Sequence, residues 1–129
     1  MSRDPLNNKE LGALGEEKAA AYLKAEGYDI LFRNYSCRSG EIDIIAHPRG
    51  KNVICFTEVK TRTSRDFGRP AEAVSLVKQK HIRRAATYIL LREWENLGAD
   101  AGTDFRFDVV EVDFAGEKPR VHHIPAAFS

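Results

Sequence analysis

Two short apolar segments, Glu41-Ile42-Asp43-Ile44-Ile45-Ala46 and Val53-Ile54-Cys55-Phe56-Thr57-Glu58-Val59-Lys60, are separated only by His47-Pro48-Arg49-Gly50-Lys51-Asn52, a stretch of turn composition. A connection that short makes the two segments antiparallel neighbours in one sheet. Side chains alternate between faces along a strand, so Glu58 and Lys60 share a face with Ile54 and Phe56. Asp43 is set among three isoleucines in the same way. Charge on a buried stripe costs on the order of several kcal/mol unless it is paired or bound to a metal. Glu58 and Lys60 thus stand beside each other on the continuation of a buried stripe.

The other elements follow from periodicity and punctuation. The segment Asn7 to Gly27 reads as a helix, capped by Asn7 or Asn8 and ended by Gly27. Leu11, Ala19, Tyr22 and Leu23 lie roughly along one side of it. Tyr28–Arg33 is rich in β-formers and reads as a strand, and Arg38-Ser39-Gly40 as a turn. Beyond a polar loop containing Gly68 and Pro70, the spacing predicts a long helix over Ala71–Leu97, closed by Gly98. Val74, Val77, His81, Ala85, Tyr88 and Ile89 recur there at three- and four-residue steps and form its apolar side. Phe105–Phe114 alternates as a strand, and Arg120–Ile124 forms a last edge strand. The order is α-β-β-β-α-β-β, an α/β fold with a central mixed sheet flanked by helices.

A chain of 129 residues, 43% hydrophobic and 30% charged, is sized and composed for one globular domain over residues 1–129, its core running from about residue 8 to about residue 125. No apolar run reaches the ~20 residues of a membrane span, and Met1-Ser2-Arg3-Asp4-Pro5 offers no signal-peptide core. No membrane partner is expected. Cys37 and Cys55 lack metal-like spacing, which points to a reduced, cytoplasmic setting. The net charge of +1 hides a segregation. From Lys60 to Arg92 nine basic residues face two acids, a net +7, and the remainder carries −6. That distribution suits a polyanion-binding face, although a solvated helix face also accounts for it.

If the two strands pair, Asp43 and Glu58 converge, and two carboxylates side by side repel unless a cation joins them. Oxygen ligands suit Mg²⁺ or Mn²⁺, which keep several waters and favour phosphate-bearing substrates. Lys60, two residues beyond Glu58, reaches the same site and can orient a hydrolytic water or stabilise charge on a phosphate oxygen. The same string also reads as a structural Glu58–Lys60 ion pair with Asp43 in a turn, and spacing alone does not separate the two.

Asp43 followed by Glu58-Val59-Lys60 resembles the PD-(D/E)XK motif of restriction-endonuclease-like nucleases, with Ile42 in the place of the motif's proline. The similarity is closer to the YraN-like family of small bacterial proteins, related to Holliday-junction resolvases. It is carried by Leu11-Gly12-Ala13-Leu14-Gly15-Glu16, Gly27-Tyr28, Arg33-Asn34-Tyr35, Gly40-Glu41-Ile42-Asp43, Phe56-Thr57-Glu58-Val59-Lys60-Thr61-Arg62 and Arg106-Phe107-Asp108-Val109-Val110. The resemblance implies a restriction-endonuclease-like domain and a metal site of Asp43, Glu58 and the Val59 carbonyl, with Lys60 as the catalytic lysine. It also implies a role for Glu16, eleven residues before Gly27, as a further metal-binding acid from the first helix. Gly12, Ala19, Ala20 and Leu23 share the face of Glu16, and small neighbours let that helix approach the sheet closely. Glu17 is the competing choice, read as a solvated acid. A homodimer is implied as well, because a four-way junction has two-fold symmetry.

Thr61 and Arg62 extend the site strand, and with Lys80, Arg83 and Arg84 they are the candidate phosphate-backbone contacts. His81 reads as a core or boundary histidine, Cys55 as a small core residue, and His122-His123 as unsuited to metal. Asp108 supports either the fold or the site and stands outside the catalytic set. The leading functional expectation is a Mg²⁺- or Mn²⁺-dependent endonuclease acting on DNA, including branched or structured DNA. The alternatives are a nucleic-acid-binding module that keeps the fold without cutting, and a small interaction protein whose acids and lysine form an ion network.

Overall fold

The computed structural model describes residues 7–63 and 74–129. The elements run α1 (Asn8–Ala25), β1 (Tyr28–Cys37), β2 (Gly40–Pro48), β3 (Val53–Arg62), α2 (Leu76–Glu93), β4 (Asp104–Asp113) and β5 (Arg120–Phe128). This is the expected α-β-β-β-α-β-β order. The five strands form one sheet in the order β1-β2-β3-β4-β5. Neighbours are antiparallel except β3 and β4, which run parallel, because α2 carries the chain back across the sheet between them.

The ends of the helices follow local chemistry. The Asn7 side chain accepts from the Glu10 N–H at 2.8 Å, satisfying one of the free donors of the first turn. Gly27, at φ +93°, turns the chain from α1 into β1, a conformation that costs a residue with a side chain more than it costs glycine. Ser75 caps α2 by accepting from the Lys78 N–H at 3.1 Å.

The sheet is covered on both faces. On one, Ala19, Ala20 and Leu23 of α1 pack against Ile44, Ala46, Val110 and Val112. On the other, Ile82, Ala85, Ala86 and Ile89 of α2 pack against Ile42, Ile45, Ile54, Phe56 and Val109. Cys55 is buried, as expected. Asp108 is also buried, and it serves the architecture. Its carboxylate accepts two bonds from Arg106, one from the Ala126 N–H at 3.0 Å, and meets His123 Nε2 at 2.8 Å. Burial opposes its ionisation, but the His123, Arg106 and Ala126 bonds outweigh it and hold the carboxyl below its usual range. The network ties edge strand β5 to β4.

Several expectations need correction. Helix α2 begins at Leu76 and ends at Glu93, not at Ala71 and Leu97, and residues 71–73 lie outside the described residues. Of its expected apolar side Val74, Ala85 and Ile89 are buried, joined by Ile82 and Ala86, but the other three residues are not. Val77 (67%) and Tyr88 (40%) are exposed and so is His81, which is neither core nor boundary. The strands overrun their expected ends, β1 to Cys37, β2 to Pro48, β3 to Arg62 and β5 to Phe128. Pairing across a sheet continues wherever a neighbour offers partners, and local composition does not show where that ends.

Candidate metal and nucleic-acid site

The site lies where two paired strands part. The β2–β3 ladder pairs Ala46 with Cys55, Ile45 with Phe56 and Ile44 with Thr57, and goes no further. The next residues on the two strands are Asp43 and Glu58. The Val59 N–H donates to Asp43 Oδ2 at 2.8 Å, so a carboxylate takes the place of a backbone carbonyl at the opening. Asp43 therefore belongs to a strand and not to a turn.

Glu58 is buried, 6% exposed, on the face of β3 that turns toward α2. Its partner is Lys78 of α2, whose Nζ stands 2.9 Å from Glu58 Oε1. Lys60 is half-buried and forms no hydrogen bond or ion pair among the described residues. The sequence places the Glu58 counter-charge on Lys60, whereas the structure supplies it from a helix twenty residues further along the chain.

Glu16 reaches the site from α1. The helix comes closest to the sheet at Gly15, where a Cβ would collide with the Thr61 hydroxyl of β3; Gly12 has open space around it. The small residue that admits α1 is thus Gly15, next to Glu16, and Gly12 plays no such part. Glu16 Oε1 is buried without a hydrogen-bond partner among the described residues. Glu17, by contrast, is exposed and paired with Arg33 at 2.8 Å, as its reading as a surface acid requires.

The electrostatics register this crowding. Burial, then the charge of Glu58, pushes the Asp43 carboxyl up to about 7, with Glu16 adding to the rise and the Val59 N–H and Lys78 opposing it. Burial also raises Glu16; Arg33 and Asn34 act against the rise, and Glu41 and Glu58 add to it. Lys78 is held above its ordinary value by its bond to Glu58, against the cost of desolvation, with the charges of Glu58, Asp43 and Glu41 helping. Carboxyls that resist ionisation together are carboxyls short of positive charge.

Among the described residues, no three His, Cys, Asp or Glu side chains are gathered tightly enough to hold a metal ion by themselves. What is present is a partial donor set. Asp43 spends one oxygen on Val59, Glu58 spends one on Lys78, and Glu16 presents an oxygen with no partner. A buried oxygen without a donor, beside the Asp43 carboxyl with its raised pKa, fits a hard divalent cation such as Mg²⁺, which takes one or two carboxylates plus water and substrate phosphate. The donors also exclude a soft-metal centre, because no thiol or imidazole is among them.

The candidate phosphate contacts divide into two groups. Thr61 lies beneath α1 at Gly15, and Arg62 is drawn to Glu111 at 3.2 Å. On α2, Lys80 and Arg84 are exposed, and Arg83 donates to the Ser129 carbonyl at 3.1 Å. Lys78 is the site residue that the sequence reading does not single out. One signal marks it in the sequence: a lysine in the first turn of a helix opposes the helix dipole, and no acid accompanies it there. No helix among the described residues is long and apolar enough to cross a membrane.

Comparison with known proteins places the chain among close relatives. The family described as "Uncharacterised protein family UPF0102" matches over residues 15–112, which includes Glu16, Asp43, Glu58, Lys60 and Lys78. A UPF0102 protein of Geobacter metallireducens is 47% identical over 123 residues, covering 95% of each chain. One of Caldicellulosiruptor saccharolyticus is 49% identical over 107 residues, 83% of this chain and 85% of the relative. One of Alkaliphilus oremlandii is 47% identical over 121 residues, 94% of this chain and 99% of the relative.

Proposed function

The chain belongs to the uncharacterised protein family UPF0102, the YraN-like family whose motifs it carries, and we propose that it is a metal-dependent endonuclease that hydrolyses phosphodiester bonds in DNA, branched or structured DNA included. The observation that carries this reading is the buried Glu16 Oε1, without a hydrogen-bond partner among the described residues, beside an Asp43 carboxyl raised to about 7 by burial and by Glu58. Such an arrangement is costly as architecture and useful as a cation site.

In this reading Asp43, Glu58, Glu16 and the Val59 carbonyl hold Mg²⁺ or Mn²⁺. Bound there, the ion supplies Lewis-acid stabilisation of charge on the scissile phosphate. Asp43 is fixed in orientation by the Val59 N–H. Lys60, whose ammonium has no carboxylate partner among the described residues, orients the attacking water and meets the charge that develops on a phosphate oxygen. Lys80, Arg83 and Arg84 on α2 attract the phosphate backbone without regard to sequence. The free state of Cys37 and Cys55 suits action in the cytoplasm, and a homodimer would match a two-fold symmetric junction.

The test incubates the protein with four-way and linear DNA in Mg²⁺, Mn²⁺ or EDTA. Nicking is expected with metal alone and should vanish in Asp43→Ala. In Lys60→Met it should fall by about 10² or more with little change in melting temperature, the scale of losing one positioned charge. Binding without cutting in every metal condition would leave the non-catalytic nucleic-acid-binding alternative in its place.

A further inference from the structure

Lys78 sits in a position that its own helix disfavours. It occupies the first turn of α2, where unpaired N–H groups and the helix dipole repel a cation. Its backbone N–H is already used by the Ser75 cap. Its side chain is 48% exposed, yet the ammonium reaches 2.9 Å from Glu58 Oε1, on a side chain only 7% exposed. A half-exposed lysine has free rotamers and water available to it, and giving these up costs conformational entropy. The contact is held by the carboxylates around it, with Asp43 and Glu41 adding to the attraction of Glu58. Lys60, the nearer lysine in sequence, leaves Glu58 to it.

We propose that Lys78 is the site's internal counter-cation: its ammonium neutralises Glu58 when no divalent ion is bound, and the ion must displace it from Glu58 to bind. The proposal rests on the metal-site reading above. It assigns to a residue outside the Asp43, Glu58-Val59-Lys60 motif the setting of the metal affinity, because ion and ammonium compete for one carboxylate oxygen. A flexible, half-exposed lysine is suited to this, since it can leave the site by rotation about its side-chain bonds while the sheet and both helices stay in place. The competition keeps the crowded acids folded without metal and makes the affinity for free metal low.

Titration calorimetry with MnCl₂ alone, at pH 8 and without DNA, tests the competition on the full chain. Lys78→Met removes the ammonium, and Lys78→Gln removes the charge but keeps a hydrogen-bond donor for Glu58. Both should bind Mn²⁺ about tenfold more tightly than the wild type, a coupling of ordinary size between two ligands of one site. Adding Glu58→Gln to Lys78→Met should abolish the gain. If either single variant is unfolded in EDTA, its circular dichroism should recover on adding Mn²⁺, and failure to recover would overturn the proposal.

Equal or weaker Mn²⁺ binding by folded Lys78 variants would assign Lys78 a positioning role and overturn the competition, leaving the nuclease reading intact. Tightened Mn²⁺ binding with no DNA cleavage by the wild type would sink the nuclease reading alone. No Mn²⁺ binding by any of the proteins would sink both.

Discussion

Asp43→Asn should make this protein more stable, and the gain should depend on pH. The substitution keeps an oxygen to accept the Val59 N–H, seen at 2.8 Å for Asp43 Oδ2, and removes the charge. In the folded chain the Asp43 carboxyl is raised from 3.8 to about 7, first by burial and then by Glu58. A carboxyl whose folded pKa lies above its unfolded value favours folding while protonated. That contribution is complete below the unfolded pKa and is lost as pH rises through the folded one. One pKa unit is worth about 1.4 kcal/mol, so the rise sets a ceiling of about 4 kcal/mol on the cost of ionising Asp43 at pH 8. At pH 5 the corresponding cost is under about 2 kcal/mol. Asparagine avoids both. For a domain of this length 1 kcal/mol corresponds to about 4 °C in melting temperature, so the variant should melt about 10–15 °C above the wild type at pH 8. The difference should shrink steadily toward pH 4. Melting curves at half-unit pH steps in EDTA provide the assay. A variant that melts below the wild type at pH 8, or a difference that does not change with pH, would refute the account of the site as a set of carboxyls short of positive charge.

Two further outcomes follow from the same geometry. Gly15→Ala should destabilise the fold by about 1–3 kcal/mol, the usual cost of overpacking, because its Cβ meets the Thr61 hydroxyl; urea unfolding measures it, and an unchanged midpoint would mean that α1 does not depend on that approach. Replacing Lys80, Arg83 and Arg84 together with glutamine should weaken binding to every DNA sequence and lower the slope of log affinity against log salt by up to about 3; fluorescence anisotropy between 50 and 200 mM salt (on the order of the range over which such contacts are lost) reads it, and an unchanged slope would show that the outer face of α2 meets only water.

The order and type of every element were legible in the sequence, because each rests on a local signal. Alternation around Asp43 and Glu58 marks β2 and β3, Asn7 and Gly27 bracket α1, and Gly98 follows α2. Phase and extent were less legible. On α2 the expected apolar spacing includes Val74, Ala85 and Ile89, which are buried, but Val77, His81 and Tyr88 at the same spacing face solvent, and Ile82 and Ala86 meet the sheet in their place. Only the sheet itself distinguishes them. On β5 the strand continues through Pro125, which an edge position tolerates. Beyond it Ala126, at φ +51°, donates its N–H to Asp108. That bond compensates for a strained residue in a way no local rule shows. Asp43, Glu58, Lys60 and Glu16 were legible as a motif, but Lys78 was not, since its place beside Glu58 depends on how α2 docks.

The contact between Asp43 and Val59 explains how one residue can serve both the sheet and the site. Where β2 and β3 separate, a half-buried N–H on Val59 would be left without its acceptor, a loss of up to about 1–3 kcal/mol. Asp43 Oδ2 takes that hydrogen bond, so the strands diverge without an orphaned donor. The bond favours the ionised carboxylate and opposes burial and Glu58, which favour the neutral form. It also fixes the Asp43 side chain and leaves its second oxygen outside that bond. A neutral acceptor would close the sheet as well but could not bind a cation as strongly, and an aspartate without the Val59 N–H would be protonated at a still higher pH. The opening of the sheet and the orientation of Asp43 are therefore tied to a single hydrogen bond, which also works against burial and Glu58 to limit the rise of the carboxyl.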